Sequence, residues 1–131
     1  MMKKYQELLK SAENALANAY APYSQFKVGA AIRAQNGKIY QGCNVENVSY
    51  PCGTCAESGA IAAMVADGEK KIREILIVAE KKAKIMPCGA CRQRIKEFAD
   101  EKTVIISADV NGNFDFYRIM DLLPCAFEEL E

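Results

Sequence analysis

The strongest constraint on the fold comes from two short, β-branched apolar segments with a helix-like segment between them. Residues 75–79 (Ile-Leu-Ile-Val-Ala) and 104–106 (Val-Ile-Ile) suit strands that are buried inside a sheet. Pro87 opens the helical segment between them, which extends over 87–98. Because strands joined by a helix usually pair in parallel through a crossover, this part of the chain predicts a sheet covered by helices.

The first forty residues predict a helix followed by a hairpin. Apolar residues recur at three- and four-residue steps over 5–19, the pattern of an amphipathic helix, and Pro22 ends that segment. Alternating apolar residues over 26–34 indicate a strand, and Asn36-Gly37 turns it into a second strand over 38–43. A β-hairpin is therefore expected after the first helix.

The next segment, 44–53, is polar and broken by a proline, so it predicts an ordered loop that suits binding. A second helix is expected over 54–66, with Thr54 at its N-cap and Glu57 completing a capping box. Its middle is small and apolar, which favours burial against the sheet. The remaining predicted elements are an edge strand over 114–117 and a helical turn over 118–123.

These elements predict a single α/β domain over 1–131. It is a three-layer α/β/α domain with a five-stranded mixed sheet, whose hairpin is antiparallel and whose later strands are parallel. The helices that begin near Cys55 and Cys88 would place their N-termini side by side above the strand ends. Sites in open α/β sheets commonly lie there.

Charge excludes several classes of partner. The chain has 17 basic and 17 acidic residues, a formal net charge of zero and no cluster of Lys and Arg. We therefore expect no nucleic-acid partner and no membrane partner, since both attract basic surfaces. Residues 3–11 carry charges where a signal peptide needs an apolar stretch, so a cytoplasmic protein is expected.

Cysteine usage is the most informative part of the composition, with six Cys and no His. In a reducing compartment, closely spaced cysteines are more often metal ligands or catalytic thiols than disulfides. The absence of His excludes catalysis by Ser-His-Asp or Cys-His groups. A transition-metal site in this chain must use thiolates and carboxylates.

Cys55, Cys88 and Cys91 are positioned to converge at two helix N-termini, and Zn²⁺ is the metal that best suits such ligands. Three protein ligands leave the fourth position open for water, as in catalytic zinc sites. Glu57, two residues after Cys55, could then move a proton. Two alternatives remain: a structural zinc site with Cys52 as fourth ligand, and a redox dithiol formed by the Cys-x-x-Cys pair.

The spacing of Cys-Ala-Glu and Pro-Cys-x-x-Cys is typical of zinc nucleobase deaminases. Together with residues 26–31, 44–50 and 122–124, it makes nearly the whole chain resemble the short cytidine deaminases of pyrimidine salvage. The resemblance implies a cytidine-deaminase-like fold and hydrolytic deamination of cytidine and 2′-deoxycytidine to the uridines plus ammonia. It also implies one Zn²⁺ per subunit and a homotetramer with shared active sites.

The same resemblance implies roles for individual residues. Cys55, Cys88 and Cys91 would bind zinc, and Glu57 would shuttle protons. The nucleoside would be bound by Asn44 and Glu46 at the ribose hydroxyls, Phe26 at the pyrimidine and the Ala56 N–H at the base carbonyl, with Tyr50 and Phe127 contributed across subunit interfaces. Taken singly, Phe26 and Phe127 could instead be core residues, Asn44 a turn residue and Glu46 a solvated charge.

The chain departs from the family pattern at Ser58-Gly59, where many members have Arg-Thr. Three thiolates give a zinc centre a net negative charge, which Ser58 cannot offset. Helix N-termini, with Arg92 or Arg94, are expected to supply the positive charge that the missing arginine would give.

A related deaminase acting on blasticidin S or a modified cytosine nucleoside is the nearest alternative function. Cys43 and Cys125 have no assigned role and are expected to be small buried residues.

Overall fold

The computed structural model describes residues 2–81, 83–128 and 130. Its strands are β1 (Val28–Ala34), β2 (Ile39–Cys43), β3 (Ile72–Ala79), β4 (Val104–Ala108) and β5 (Phe114–Tyr117). Its helices are α1 (Met2–Ala17), α2 (Ala56–Ala66), α3 (Gly89–Phe98) and α4 (Ile119–Leu122), with a 3-10 turn at Tyr50–Cys52. The fold is the predicted α/β type.

The five strands form one mixed sheet in the order β2-β1-β3-β4-β5. β1 is antiparallel to both β2 and β3, whereas β3 and β4 are parallel and are joined through α3. The parallel pairing predicted for later strands joined by helical crossovers is found for β3 and β4, whereas β5 follows β4 without a helix and runs antiparallel to it. The reason is the tight turn at Gly112, which has a φ of 86° and reverses the chain between these two strands.

Helices cover both faces of the sheet, which confirms the three-layer prediction. On one face, Leu8 and Leu16 of α1 pack against Leu76 and Val78 of β3. On the other face, α2, α3 and α4 pack over the alternate residues of the same strand, such as Ile77. β3 lies at the centre of the sheet and is buried on both sides, because its apolar residues are continuous rather than alternating with polar ones.

The start of α2 differs from its prediction. Cys55, not Thr54, is the N-cap residue, and its side chain makes no capping hydrogen bond. Thr54 is held in an extended conformation by Val45, since the two residues exchange backbone N–H···O bonds of 3.0 and 2.9 Å. The predicted capping box between Thr54 and Glu57 is therefore wrong.

Side chains also set the beginning of β1, which starts at Val28 rather than Phe26. The amide oxygen of Asn44 accepts the N–H of Val28 at 2.9 Å, and its amide nitrogen donates to the carbonyl oxygen of Phe26 at 2.8 Å.

The expectation that Cys43 and Cys125 are buried is also wrong, because Cys43 is half-buried and Cys125 is exposed. None of the helices described has the length and apolar character needed to cross a membrane.

Candidate active site

Two helix N-termini bring three thiols together. Cys55 is the N-cap of α2, Cys88 is the N-cap of α3, and Cys91 lies in the first turn of α3. The three Sγ atoms all lie within 4.8 Å of one another. Tetrahedral zinc holds thiolates at about 2.3 Å, which separates their sulfurs by about 3.8 Å. The donor set and its spacing therefore fit a zinc ion with a small contraction of the cluster.

The three thiols differ in environment. Cys88 is exposed, and the backbone N–H of Cys91 donates to its sulfur and lowers its pKa. Cys55 is half-buried and Cys91 fully buried, and burial raises the pKa of both thiols. Since metal binding requires thiolates, a cation that binds here must displace protons from the two deeper sulfurs.

Cys52 lies outside this cluster, which removes the four-sulfur alternative. Its thiol is exposed in the 3-10 turn and donates to the hydroxyl of Ser49 at 3.6 Å. Among the residues that the structure describes, the three converging cysteines have no fourth sulfur beside them. Within the described part of the chain, the candidate metal site thus has three sulfur donors.

Glu57 is the buried acidic group of the site. It is the second residue of α2 and is only 5% exposed, with its carboxylate facing the thiol of Cys91. Burial raises the pKa of this carboxyl group above its ordinary value. A carboxylate in this position binds a proton more readily than an exposed one, which is what a proton shuttle requires.

A cleft of about 550 Å³ opens directly onto these groups. Cys55, Ala56, Glu57 and Cys88 line its floor, and the loop 44–53 forms one wall. Of the predicted nucleoside contacts, the cleft also contains Asn44, Glu46 and Tyr50. Phe26 and Phe127 are not among its lining residues.

Two residues that were not predicted hold Glu46 in place. Its carboxylate accepts the backbone N–H groups of Tyr23 and Ser24, each at 3.0 Å, and also the Ser24 hydroxyl. These bonds, the hydroxyl of Ser24 first, lower the pKa of the Glu46 carboxyl. Glu46 is therefore ionised and fixed at the edge of the cleft. The sequence carries no local signal for this contact, because Ser24 and Glu46 lie 22 residues apart.

A three-layer α/β/α domain with three converging thiols and a buried glutamate is the architecture of a zinc-dependent deaminase. Comparison with known families agrees. A family model described as the cytidine and deoxycytidylate deaminase zinc-binding region matches residues 2–107. The chain belongs to this family, and its cofactor is zinc.

Individual relatives cover nearly the whole chain. Cytidine deaminase of Sporosarcina psychrophila is 38% identical over 124 residues, which are 95% of this chain and 91% of the relative. The crystal structure of cytidine deaminase from Burkholderia pseudomallei matches with a TM-score of 0.88 and 40% identity, over 94% of this chain and 98% of that one. The enzyme of Mycobacterium tuberculosis matches with a TM-score of 0.84 and 37% identity, over 95% and 98% of the two chains.

Proposed function

We propose that this chain catalyses the hydrolytic deamination of cytidine and 2′-deoxycytidine to uridine and 2′-deoxyuridine, with release of ammonia, in pyrimidine salvage. The observation that carries the proposal is the buried carboxylate of Glu57, which opens into the same cleft as Cys55 and Cys88. The relatives described above are named cytidine deaminases, which supports a cytosine nucleoside as substrate.

Zinc would be held by the thiolates of Cys55, Cys88 and Cys91. When bound, it lowers the pKa of a coordinated water so that the water can attack a carbon electrophile. Over the described residues, the protein supplies a three-sulfur donor set at this site. Helix N-termini at Cys55 and Cys88 stabilise the negative sulfurs through the partial positive charge of the exposed backbone N–H groups.

Glu57 would carry each proton in the reaction. Its carboxylate accepts a proton from the water that attacks C4 of the cytosine ring and donates that proton to N3. A second transfer through the same carboxylate takes the proton of the new C4 hydroxyl to the amino group, and the C4–N bond then breaks to release ammonia and leave the C4 carbonyl of the uridine. Burial supports this role, because a raised pKa lets the carboxyl hold a proton between the two transfers.

The ribose would be bound by Asn44 and Glu46, the base carbonyl by the Ala56 backbone N–H, and the pyrimidine ring by Phe26. The Asn44 amide is oriented by Val28 and Phe26 at the cleft edge. Glu46 is a charged acceptor, suited to hydroxyl groups of a sugar, and Ala56 lies at the start of α2, where backbone N–H groups point out of the helix.

A homotetramer with active sites completed by neighbouring subunits is the proposed assembly. In the single chain Tyr50 is 80% exposed and Phe127 66% exposed, although both are large and apolar. Gln93 of α3 donates to the Phe127 carbonyl oxygen at 2.9 Å, which holds the C-terminal segment against the domain. Exposed aromatic side chains held in place in this way are typical of protein interfaces.

All six cysteines are free, which suits the proposed cytoplasmic location.

The decisive experiment is an ultraviolet assay of cytidine and 2′-deoxycytidine turnover by protein purified under reducing conditions. Activity should disappear after treatment with a zinc chelator and return when zinc is added. Free cytosine and blasticidin S, tested in parallel, separate this function from that of a related deaminase. Turnover of blasticidin S without turnover of cytidine would contradict the proposal, as would activity that survives complete removal of zinc.

A further inference from the structure

Arg94 contacts the most deeply buried thiol of the site. The Cys91 side chain is fully buried, and the Nη1 atom of Arg94 lies 3.5 Å from its Sγ atom. Arg94 follows Cys91 by three residues on α3, so the two side chains share one face of the helix. The guanidinium thus contacts the buried sulfur although Arg94 as a whole residue is exposed.

The contact matters because Arg94 is positively charged and a zinc centre with three thiolates is negatively charged. Three thiolates around Zn²⁺ carry a net charge of minus one, and a buried net charge is costly unless a nearby group offsets it. Helix N-termini supply only partial charges. A guanidinium supplies a full positive charge, stays protonated at any relevant pH and donates a charge-assisted hydrogen bond to sulfur.

The other cations of α3 are engaged elsewhere. Arg92 donates from Nε to the Pro87 carbonyl oxygen at 2.8 Å and from Nη1 to the Leu122 carbonyl oxygen at 2.9 Å. Lys96 lies 3.8 Å from the carboxylate of Glu128. The sequence offered Arg92 and Arg94 as possible sources of positive charge beside the thiolates. Arg94 contacts a sulfur of the cluster, whereas Arg92 donates its hydrogen bonds to backbone carbonyl groups.

The same spacing recurs at the other helix. Ser58 follows Cys55 by three residues, as Arg94 follows Cys91, and it lies in the first turn of α2. A long arginine side chain at position 58 would start within one turn of the N-cap residue Cys55, which places the cluster within its reach. In this chain the helix with the neutral residue is α2, and the helix with the cation is α3.

We propose that Arg94 is a positioning residue that offsets the negative charge of the zinc–thiolate centre through Cys91 and thereby strengthens zinc binding. It takes the place of a cation that position 58 lacks. This inference rests on the zinc-ligand assignment made under the proposed function. It predicts that the positive charge near the sulfurs, rather than the side chain of Arg94 as such, sets the affinity for the metal.

The test compares the zinc-loaded wild type with Arg94→Gln, Arg94→Lys and the control Lys96→Gln, which removes a charge from the same helix away from the sulfurs. The readout is the rate and extent of zinc transfer to a chromogenic chelator such as 4-(2-pyridylazo)resorcinol. Arg94→Gln should weaken zinc retention about 10- to 100-fold, the range found when a partner of a metal ligand is removed. Arg94→Lys should retain most of the affinity, and Lys96→Gln should match the wild type.

A rescue variant keeps the test decisive if Arg94→Gln folds poorly. Ser58→Arg combined with Arg94→Gln should restore zinc retention, because it returns a cation to the cluster from α2. The inference is overturned if Arg94→Gln retains zinc like the wild type. It is equally overturned if Arg94→Lys is as weak as Arg94→Gln and Ser58→Arg restores nothing. A wild-type protein that binds no zinc would instead refute the proposed function.

Discussion

Gly42 of β2 lies so close to Ala60 of α2 that a Cβ atom at position 42 would overlap the Ala60 backbone nitrogen. The same Cβ would also overlap the carbonyl oxygen of Ala56. Because α2 carries Cys55 as its N-cap and Glu57 in its first turn, this contact sets the height of the Cys55 thiol and the Glu57 carboxylate above the sheet.

Gly42→Ala should therefore displace α2 and destabilise the protein. Overpacking of this kind costs about 1–3 kcal/mol in the free energy of unfolding, and zinc content should fall as Cys55 moves. Gly59→Ala is the matched control, since a Cβ there would lie 3.6 Å from the Gly42 Cα atom, an ordinary contact. Replacing a mid-helix glycine should stabilise α2 by about 0.5–1 kcal/mol. Urea denaturation measures the free energy of unfolding of each variant, and metal analysis measures its zinc content. Equal effects of the two variants would show that close packing of Gly42 against α2 does not position Cys55.

Glu57→Gln should bind zinc and nucleoside normally but lose turnover. The amide keeps the shape of the side chain and cannot accept and return a proton, so kcat should fall by about 10²- to 10⁴-fold. Metal analysis, a binding measurement with cytidine and steady-state kinetics separate these effects. Glu69→Gln, just beyond the other end of α2, should match the wild type. Near-normal turnover by Glu57→Gln would remove the proton-transfer role.

Cysteine substitutions distinguish the zinc ligands from the neighbouring thiol. Cys88→Ser should lose zinc and activity, because it removes one of the three converging sulfurs. Cys52→Ser should keep both, because its thiol is exposed and contacts Ser49 instead. X-ray absorption at the zinc edge of the wild type should show three sulfurs and one lighter atom. A signal from four sulfurs would restore the structural-zinc alternative.

The carboxyl group of Glu46 should titrate at a lower pH in the wild type than in Ser24→Ala. The Ser24 hydroxyl is the main cause of the lowered pKa of Glu46, so its removal should move that pKa back towards 4.5. A carboxyl with a depressed folded-state pKa stabilises the fold above its unfolded pKa of about 4.3, and this contribution is lost as the pH falls through the folded value. The stability difference between the two proteins should thus be full at neutral pH and shrink below about pH 4.3.

Carbon-detected NMR of labelled glutamate carboxyl groups measures this titration. Ser49→Ala, in the same loop as Glu46 but with its hydroxyl bonded to Cys52, is the control and should leave the Glu46 pKa unchanged. If Glu46 titrates identically in the wild type and Ser24→Ala, the hydrogen bond from the hydroxyl does not set its ionisation.

The proposed sharing of active sites between subunits predicts complementation between two defective variants. A subunit with Phe127→Ala keeps its own Glu57, and a neighbour with Glu57→Gln can supply the missing Phe127. Co-expressed and purified through different affinity tags, mixed oligomers should therefore be more active than either parent. Light scattering should give the mass of a tetramer. Activity of the mixed oligomers no higher than that of the more active parent would contradict contribution of Phe127 across the interface.

Local patterns in the sequence were sufficient for most helices and strands and for the zinc centre. β3 and β4 are evident from β-branched runs, because burial on both faces of a sheet requires continuous apolar residues. The three cysteines that converge could be predicted because each lies at a helix start, and a helix start has a characteristic local sequence.

Contacts between distant segments could not be predicted in this way. Thr54 has the composition of an N-cap residue, yet hydrogen bonds to Val45 determine its conformation. Ser24 carries no local sign of its bond to Glu46, which lies 22 residues further along the chain. These outcomes depend on which segments pack together, a property of the whole chain rather than of any window in it.

The amino-acid sequence by itself determined the α/β architecture and the three converging cysteines as a set, because periodicity and spacing are local, and its motifs carried the resemblance to the cytidine deaminases. Only the tertiary structure decided that Cys52 stays outside the cluster, that Glu46 is fixed by Ser24 and that Arg94 rather than Arg92 reaches a thiol. The physical reason is that hydrogen bonds and charge contacts act over a few ångströms, and the distances between side chains are set by the packing of helices on the sheet.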